Sequence, residues 1–425
     1  MLSNRVREFQ RTSPPSFAVR DEDRSACGVG ALVSLKGEAS HRILELGFHD
    51  ALPSVTPRTG QAPDQEIGED GTLLGTGDGM GIITALPQAL LKRSFNTSGH
   101  PDILGDRDLG VVSAFLPRDS ETKRNAIRKL WKNALIERGY EDREEIAQTL
   151  WRKTPIDSDQ LGRIGRETHP RPEQLLIPLK PGQTRQEFDF DMYTIMRAVE
   201  VEVRSRGLSG EGRNNYHILS ASSSTIVYKS LSLAHRFQAL YPDLMKSSFA
   251  TPFIGFHGRF STNTAPAWWR AHFKRMLAHN GEINTVRGNV NAFYKLINIF
   301  SHVYGDEAPK VIEKVLNTNG TDSDMLDNAA QFLFFAGVSL ALIKTYLLPP
   351  SLRPGAAIEP GLHEVVKFGK AVSSAWEGPA MVIMTDGRMV IAGGDMNGMR
   401  PTPWEIFGSP EEPDVPDILV IGSEA

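Results

Sequence analysis

Leu277-Ala278-His279-Asn280-Gly281-Glu282-Ile283-Asn284-Thr285 sets an imidazole, amides and a glycine between apolar residues, a mixture that a core segment does not need. An Asn-Gly pair can simply close a turn. It can also offer a side-chain amide and a backbone N–H to one developing oxyanion, where each donor is worth roughly 2.7 to 4 kcal/mol. Upstream, His257-Gly258-Arg259-Phe260-Ser261-Thr262-Asn263-Thr264 is a second polar run. Downstream, Gly320-Thr321-Asp322-Ser323-Asp324 precedes the apolar face of Leu326, Ala329 and Ala330 and reads as a helix cap. Near the start, Ser25-Ala26-Cys27-Gly28-Val29-Gly30 holds the only cysteine. A lone cysteine reads first as a small buried hydrophobe, and it excludes an intramolecular disulfide and a cysteine-based zinc site. If the chain were cut before Cys27, one residue would carry both a thiol and a free α-amine of pKa about 7.7 to 8.0, so nucleophile and base would coincide.

Around these clusters the chain alternates short apolar runs with longer helical patterns. Gly28 to Val33 suits a buried strand, Ser40 opens a helix to Leu52, and Ser54 to Leu74 is a loop rich in Pro, Gly and acids. Gly75-Thr76-Gly77-Asp78-Gly79-Met80-Gly81 is not a phosphate loop, because the strand Ile82 to Leu86 follows it instead of a helix. Its glycines are expected to make a tight turn. Thr122 to Glu145 reads as a charged helix with an apolar stripe of Ile127, Leu130, Trp131 and Ala134. Tyr216–Ser220 and Thr225–Tyr228 read as paired strands, and Met381–Thr385, Asp386-Gly387 and Arg388–Ala392 as a hairpin. Strands near both ends with helices between them favour an α+β fold over a doubly wound parallel sheet.

The charge balance, 47 basic against 51 acidic residues, gives a net −4, without the basic excess of a protein that tracks phosphate backbones. Nucleic acid is therefore not an expected partner. The longest apolar stretch, Phe332 to Ile343, stops at Lys344, well short of the roughly 20 residues that cross a bilayer. It reads as a buried helix, and no membrane partner is expected. Residues 1–26 are polar, with Pro14-Pro15 and no apolar run, and read as a leader or propeptide without a secretory signal. A cytoplasmic location is the expectation. Residues 27–425 then form one domain.

At these motifs the chain resembles the amidotransferase domain of glutamate synthase large subunits, a class II glutamine amidotransferase of the N-terminal nucleophile hydrolase type. The resemblance runs from Cys27 to the end. It rests on Arg259 to Thr264, Leu277 to Thr285 and Arg287-Gly288-Asn289 in that order, with Cys27-Gly28-Val29-Gly30, Thr76-Gly77-Asp78-Gly79, Ser224 to Lys229, Asp395, Asn397-Gly398 and Arg400-Pro401. It implies a four-layer αββα sandwich and a glutaminase that makes L-glutamate and ammonia through a Cys27 thioester. Asn280 and the Gly281 N–H would form the oxyanion hole. Arg259 would grip the glutamine α-carboxylate, and Asp322 would receive its α-amino group. No cofactor or metal is expected on this chain. FMN and an iron-sulfur cluster would lie on a synthase partner chain or on missing C-terminal domains, to which the ammonia would pass.

The chain also departs from the family pattern. His-Arg-Gly-Ala is here Pro57-Arg58-Thr59-Gly60 followed by an enlarged loop, and an arginine between Asp395 and Asn397 is Met396. Two alternatives therefore stay open: a pseudoenzyme kept as an assembly or regulatory module, and an N-terminal nucleophile amidohydrolase acting on another amide.

Overall fold

Gly28–Ser34 (β1), the apolar run after Cys27, lies inside a six-stranded sheet. On one side it pairs with Phe253–Gly258 (β10), which continues to Thr76–Ala85 (β4) and Thr225–Ser232 (β9). On the other it pairs with Ile418–Gly422 (β15), beside Trp404–Phe407 (β14). Leu277–Gly281 (β11), Ala380–Thr385 (β12) and Val390–Gly394 (β13) form a three-stranded sheet, and β1 touches its first two strands. A four-stranded sheet runs Trp151–Lys153 (β6), Arg171–Pro178 (β7), Leu109–Leu116 (β5), His217–Ser222 (β8). A small ribbon joins Glu66–Ile67 (β2) to Leu73–Leu74 (β3). Every ladder among the described residues is antiparallel, so the α+β expectation holds. The computed structural model describes residues 27–55, 60–97, 104–140, 151–210, 216–259, 266–307, 311, 315–351, 360–408 and 418–423. The expected leader, residues 1–26, lies outside them.

One hydrophobic cluster runs through Val29, Ile82, Phe256, Leu277, Leu326 and Ile383 and ties the sheets to the helices. Glu121–Glu137 (α1) starts where the Ser120 side chain accepts the Lys123 N–H and buries Ile127 and Trp131, as their spacing predicts, but it stops short of the expected Glu145, before Gly139 at φ 77°; residues 141–145 lie outside the described residues. Arg185–Ser205 (α2) opens on a capping box between Thr184 and Glu187. Among the described residues no helix is long and apolar enough to cross a membrane.

Three expectations are corrected. The glycine run after Leu74 is no turn: Thr76 to Gly81 belongs to β4, whose register against β9 shifts between Thr76 and Met80. A Cβ on Gly81 would sit 1.9 Å from the His272 carbonyl oxygen, so glycine here serves close backbone approach inside a strand. The runs at 216–220 and 225–228 do not pair with each other. They end in different sheets, and the chain crosses between them at Ser222-Ser223-Ser224, whose hydroxyls and Ser223 N–H bond the Asp189 carboxylate. Nor is Phe332 to Ile343 one helix. Asp322–Phe335 (α3) ends before Gly337, at φ 88°, and Leu340–Leu347 (α4) restarts after the Ser339 cap. The expected hairpin does form, its turn carrying Gly387 at φ 90° and the Asp386 carboxylate accepting two N–H groups.

Candidate active site

Cys27 directly precedes β1, and the pairing of β1 with β10 sets Gly28 opposite Gly258 and Val29 opposite His257. The next residue of the β10 chain, Arg259, therefore comes level with Cys27. Met80 of β4 opposes Gly258 from the other side, which brings Asp78 Oδ2 to 3.6 Å from Arg259 Nε. Arg259 holds φ at 148°, a region that costs a non-glycine residue of order 1–3 kcal/mol. Its carbonyl oxygen is met by the His272 N–H at 3.5 Å and by His257 Nδ1 at 3.1 Å. The other His257 nitrogen, Nε2, lies 3.0 Å from the His279 carbonyl oxygen. Burial pushes His257 down to about 3, so the ring is neutral and its one N–H serves one of the two carbonyls.

Across from β10, β11 carries Asn280 and Gly281. The Asn280 side chain is 1% exposed, and among the described residues neither its amide oxygen nor its amide nitrogen has a hydrogen-bond partner. Leaving such a group buried and unpaired costs about 1–3 kcal/mol. Gly281 turns to φ 108°, and a Cβ there would lie 1.6 Å from the Pro379 carbonyl oxygen. No other residue fits beside Asn280.

The Thr321 side chain caps α3 and closes a capping box with Asp324. Asp324 Oδ1 also pairs with buried Lys274 Nζ at 3.0 Å, so this helix end is pinned from two directions. Asp322 is its first residue. Its Oδ2 accepts the Ile283 N–H at 3.1 Å, two residues past Gly281, and its Oδ1 accepts the Ser323 N–H at 2.7 Å. The segment is thus both the cap that its spacing suggests and a carboxylate aimed at the β11 edge.

These elements converge on the thiol. Burial pushes Cys27 up to about 11; Arg259 and Arg400 oppose that rise, while Asp322 and Asp78 add to it. Arg259 and Asp322 therefore act on the thiol, and β11, which carries Asn280 and Gly281, lies against β1. Asp78 and Arg400 were assigned no role from sequence. Arg400 arrives through topology: Asp395 exchanges hydrogen bonds with Ala380, opposite Gly281, while Trp404 opposes Ile421 on the strand beside β1. The loop between them runs from beside the β11–β12 pair to β14, one strand away from β1 across β15, and carries Arg400 into the surroundings of Cys27. The signal was its place in the Arg400-Pro401 match, but a motif position does not say what a side chain faces. Of the divergent segment, residues 57–59 lie outside the described residues, as do residues 260–264; the Gly60 carbonyl accepts the Asp78 N–H at 3.0 Å.

Residues 27–424 match the family described as Glutamine amidotransferases class-II. The chain is 33% identical over 386 residues to the NADPH glutamate synthase large chain of Azospirillum brasilense, an alignment covering 91% of this chain and 24% of the relative. It is 30% identical over 403 residues to the NADPH glutamate synthase large chain of Bacillus subtilis, covering 94% of this chain and 24% of the relative. Against the NADH glutamate synthase of Saccharomyces cerevisiae it is 31% identical over 393 residues, covering 90% and 17%. The chain thus spans a quarter or less of the length of the curated relatives it matches.

Proposed function

The chain belongs to the class II glutamine amidotransferases, and from that premise we propose that it hydrolyses L-glutamine to L-glutamate and ammonia at Cys27. Residues 1–26 act as a leader whose removal frees the Cys27 α-amine, and residues 27–425 are the amidotransferase domain, a four-layer αββα sandwich. The amine takes the thiol proton as sulfur attacks the side-chain carbonyl carbon, and Asn280 with the Gly281 N–H receives the oxyanion. The same proton passes to the leaving nitrogen, ammonia departs, and water hydrolyses the thioester to glutamate. An Arg fork suits the planar α-carboxylate, which assigns that end of glutamine to Arg259. Asp322 takes the α-ammonium, and together they hold the distant amide over the thiol.

One observation carries this reading: the buried amide of Asn280 is left without a partner among the described residues. A module kept only for assembly gains nothing from that cost, whereas an oxyanion site requires it. Because free ammonia is mostly protonated near neutral pH and then not nucleophilic, we further propose that it passes to synthase domains or a synthase partner that encloses it. FMN and iron-sulfur chemistry belong to that partner, since one cysteine cannot hold a cluster.

Glutamate release is to be measured for protein whose intact mass shows Cys27 as the first residue, beside the unprocessed chain and Cys27→Ala. Turnover confined to the processed wild type supports the proposal. Processed protein that binds glutamine without releasing glutamate would favour the assembly module.

A further inference from the structure

We propose that Ser323 is a positioning residue that links recognition of the substrate's α-amino group to the strand that binds the oxyanion. The inference rests on the glutaminase reading above and concerns a side chain that the mechanism leaves idle. Ser323 is fully buried. Its Oγ lies 2.7 Å from His279 Nε2 and donates to Asp322 Oδ1 at 3.3 Å. One hydroxyl proton serves either the carboxylate or the ring, and a hydroxyl that donates to the carboxylate accepts from a His279 ring protonated on Nε2. Burial holds His279 below its usual range, against the pull of Asp322, so the ring is neutral and carries a single N–H.

His279 is also the residue before Asn280. Its carbonyl oxygen faces His257 Nε2, and its ring meets His272 edge-on, with centroids 5.4 Å apart. The His279 ring is therefore held by Ser323 on one side and by another imidazole on the other. Asp322 cannot yield by moving the helix, because the capping box and the Lys274–Asp324 pair pin that end of α3. When an α-ammonium meets Asp322, the change falls instead on the hydrogen-bond chain Asp322–Ser323–His279, whose members polarise one another in a dry interior. That chain ends on the backbone that sets the Asn280 amide. An amide substrate with an α-amine should thus gain in kcat, beyond the affinity that Asp322 supplies directly.

The test compares L-glutamine with 4-carbamoylbutanoate, the same amide without the α-amine, in processed wild type, Ser323→Ala, Ser323→Thr and His279→Phe. In wild type the kcat ratio of glutamine to the des-amino amide is expected to be at least tenfold. In Ser323→Ala it falls towards one, with the KM for glutamine changed less than about threefold; Ser323→Thr, which keeps the hydroxyl, restores it. His279→Phe keeps a ring of similar size but no donor, and must lower the ratio from the other side of the same bond. A wild type that releases no glutamate overturns the glutaminase reading and this inference with it. An active wild type whose ratio is unchanged in Ser323→Ala or His279→Phe, or shifted only through KM, overturns this inference alone.

Discussion

Asn280→Ala separates catalysis from folding, because the structure contains a matched control. Asn280 and Asn289 are both buried asparagines, 1% and 0% exposed. Asn289 is fully engaged: its amide nitrogen donates to the Ser374 and Ala375 carbonyls, and its oxygen accepts the Thr285 hydroxyl. Asn280 has no such bonds among the described residues. Truncating Asn280 removes a penalty of about 1–3 kcal/mol for an unpaired buried amide. It leaves a hole of roughly 40 Å³, which at about 24 cal/mol per Å³ costs about 1 kcal/mol. The two nearly cancel, so the melting temperature should hold or rise slightly. The loss of one oxyanion donor should meanwhile lower kcat about 10²- to 10³-fold. Asn289→Ala should behave in the opposite way, losing about 1–3 kcal/mol of stability through its orphaned carbonyls while keeping most of its turnover. Thermal melts and glutamate-release kinetics on both variants decide it. A fall of several degrees in Asn280→Ala, or an unchanged kcat, would refute the assignment of its amide to the oxyanion.

Two further perturbations follow from the charges. Arg400→Met removes a cation that favours the Cys27 thiolate, so the thiol should titrate above its value of about 11 and react more slowly with iodoacetamide at pH 8; Asp78→Asn should shift it the other way, and unchanged alkylation profiles would place both groups away from the sulfur. For Asp324, burial raises the carboxyl but Lys274, the Thr321 N–H and His217 outweigh it and hold it well below the usual range. Its contribution to stability is therefore whole above the unfolded carboxyl pKa of about 3.9 and is lost as the pH falls below that. Lys274→Met should destabilise the fold by about 3–5 kcal/mol at neutral pH, since it leaves that carboxylate buried and unpaired, and denaturant titrations at pH 7 and at about pH 2 should show a smaller deficit at the lower pH, where the wild-type contribution is itself largely lost.

The candidate site and the fold around it were legible in different ways. The polar runs that hold Cys27, Arg259, Asn280, Gly281 and Asp322 stand out where a core would put apolar side chains, but spacing alone also allowed a buried thiol, an Asn-Gly turn and a helix cap, and the roles came from the family resemblance. What decided two of the three misread elements lies far along the chain. Thr76 to Gly81 has no alternation to announce a strand, and it becomes one because β10 and β9 flank it and the His272 carbonyl presses on Gly81. Gly337 and Ser339 were visible inside the apolar run, yet hydrophobicity alone joined what a left-handed glycine and a serine cap divide. The crossing at Ser222 to Ser224 depends on Asp189, a residue of α2.

The arrangement of strands also explains why burial and maturation belong together under the proposed mechanism. The N–H of Val29 donates to the Ser423 hydroxyl, and the Ser423 N–H donates back to the Val29 carbonyl. A residue near the far end of the chain thus fixes the backbone just after the nucleophile. Cys27 is held in a dry place where its thiol sits at about 11, and near neutral pH only about one thiol in ten thousand would ionise unaided. Arg259 and Arg400 cannot accept a proton, Asp322 already accepts the Ile283 and Ser323 N–H groups, and Asp78 faces the Arg259 guanidinium. A base is needed that reaches the sulfur without admitting water, and the cysteine's own α-amine meets that condition because it is carried by the same residue. Burial that would disable an internal cysteine is therefore compatible with catalysis by an N-terminal one, and it protects the thiol from stray reaction until the amine is free.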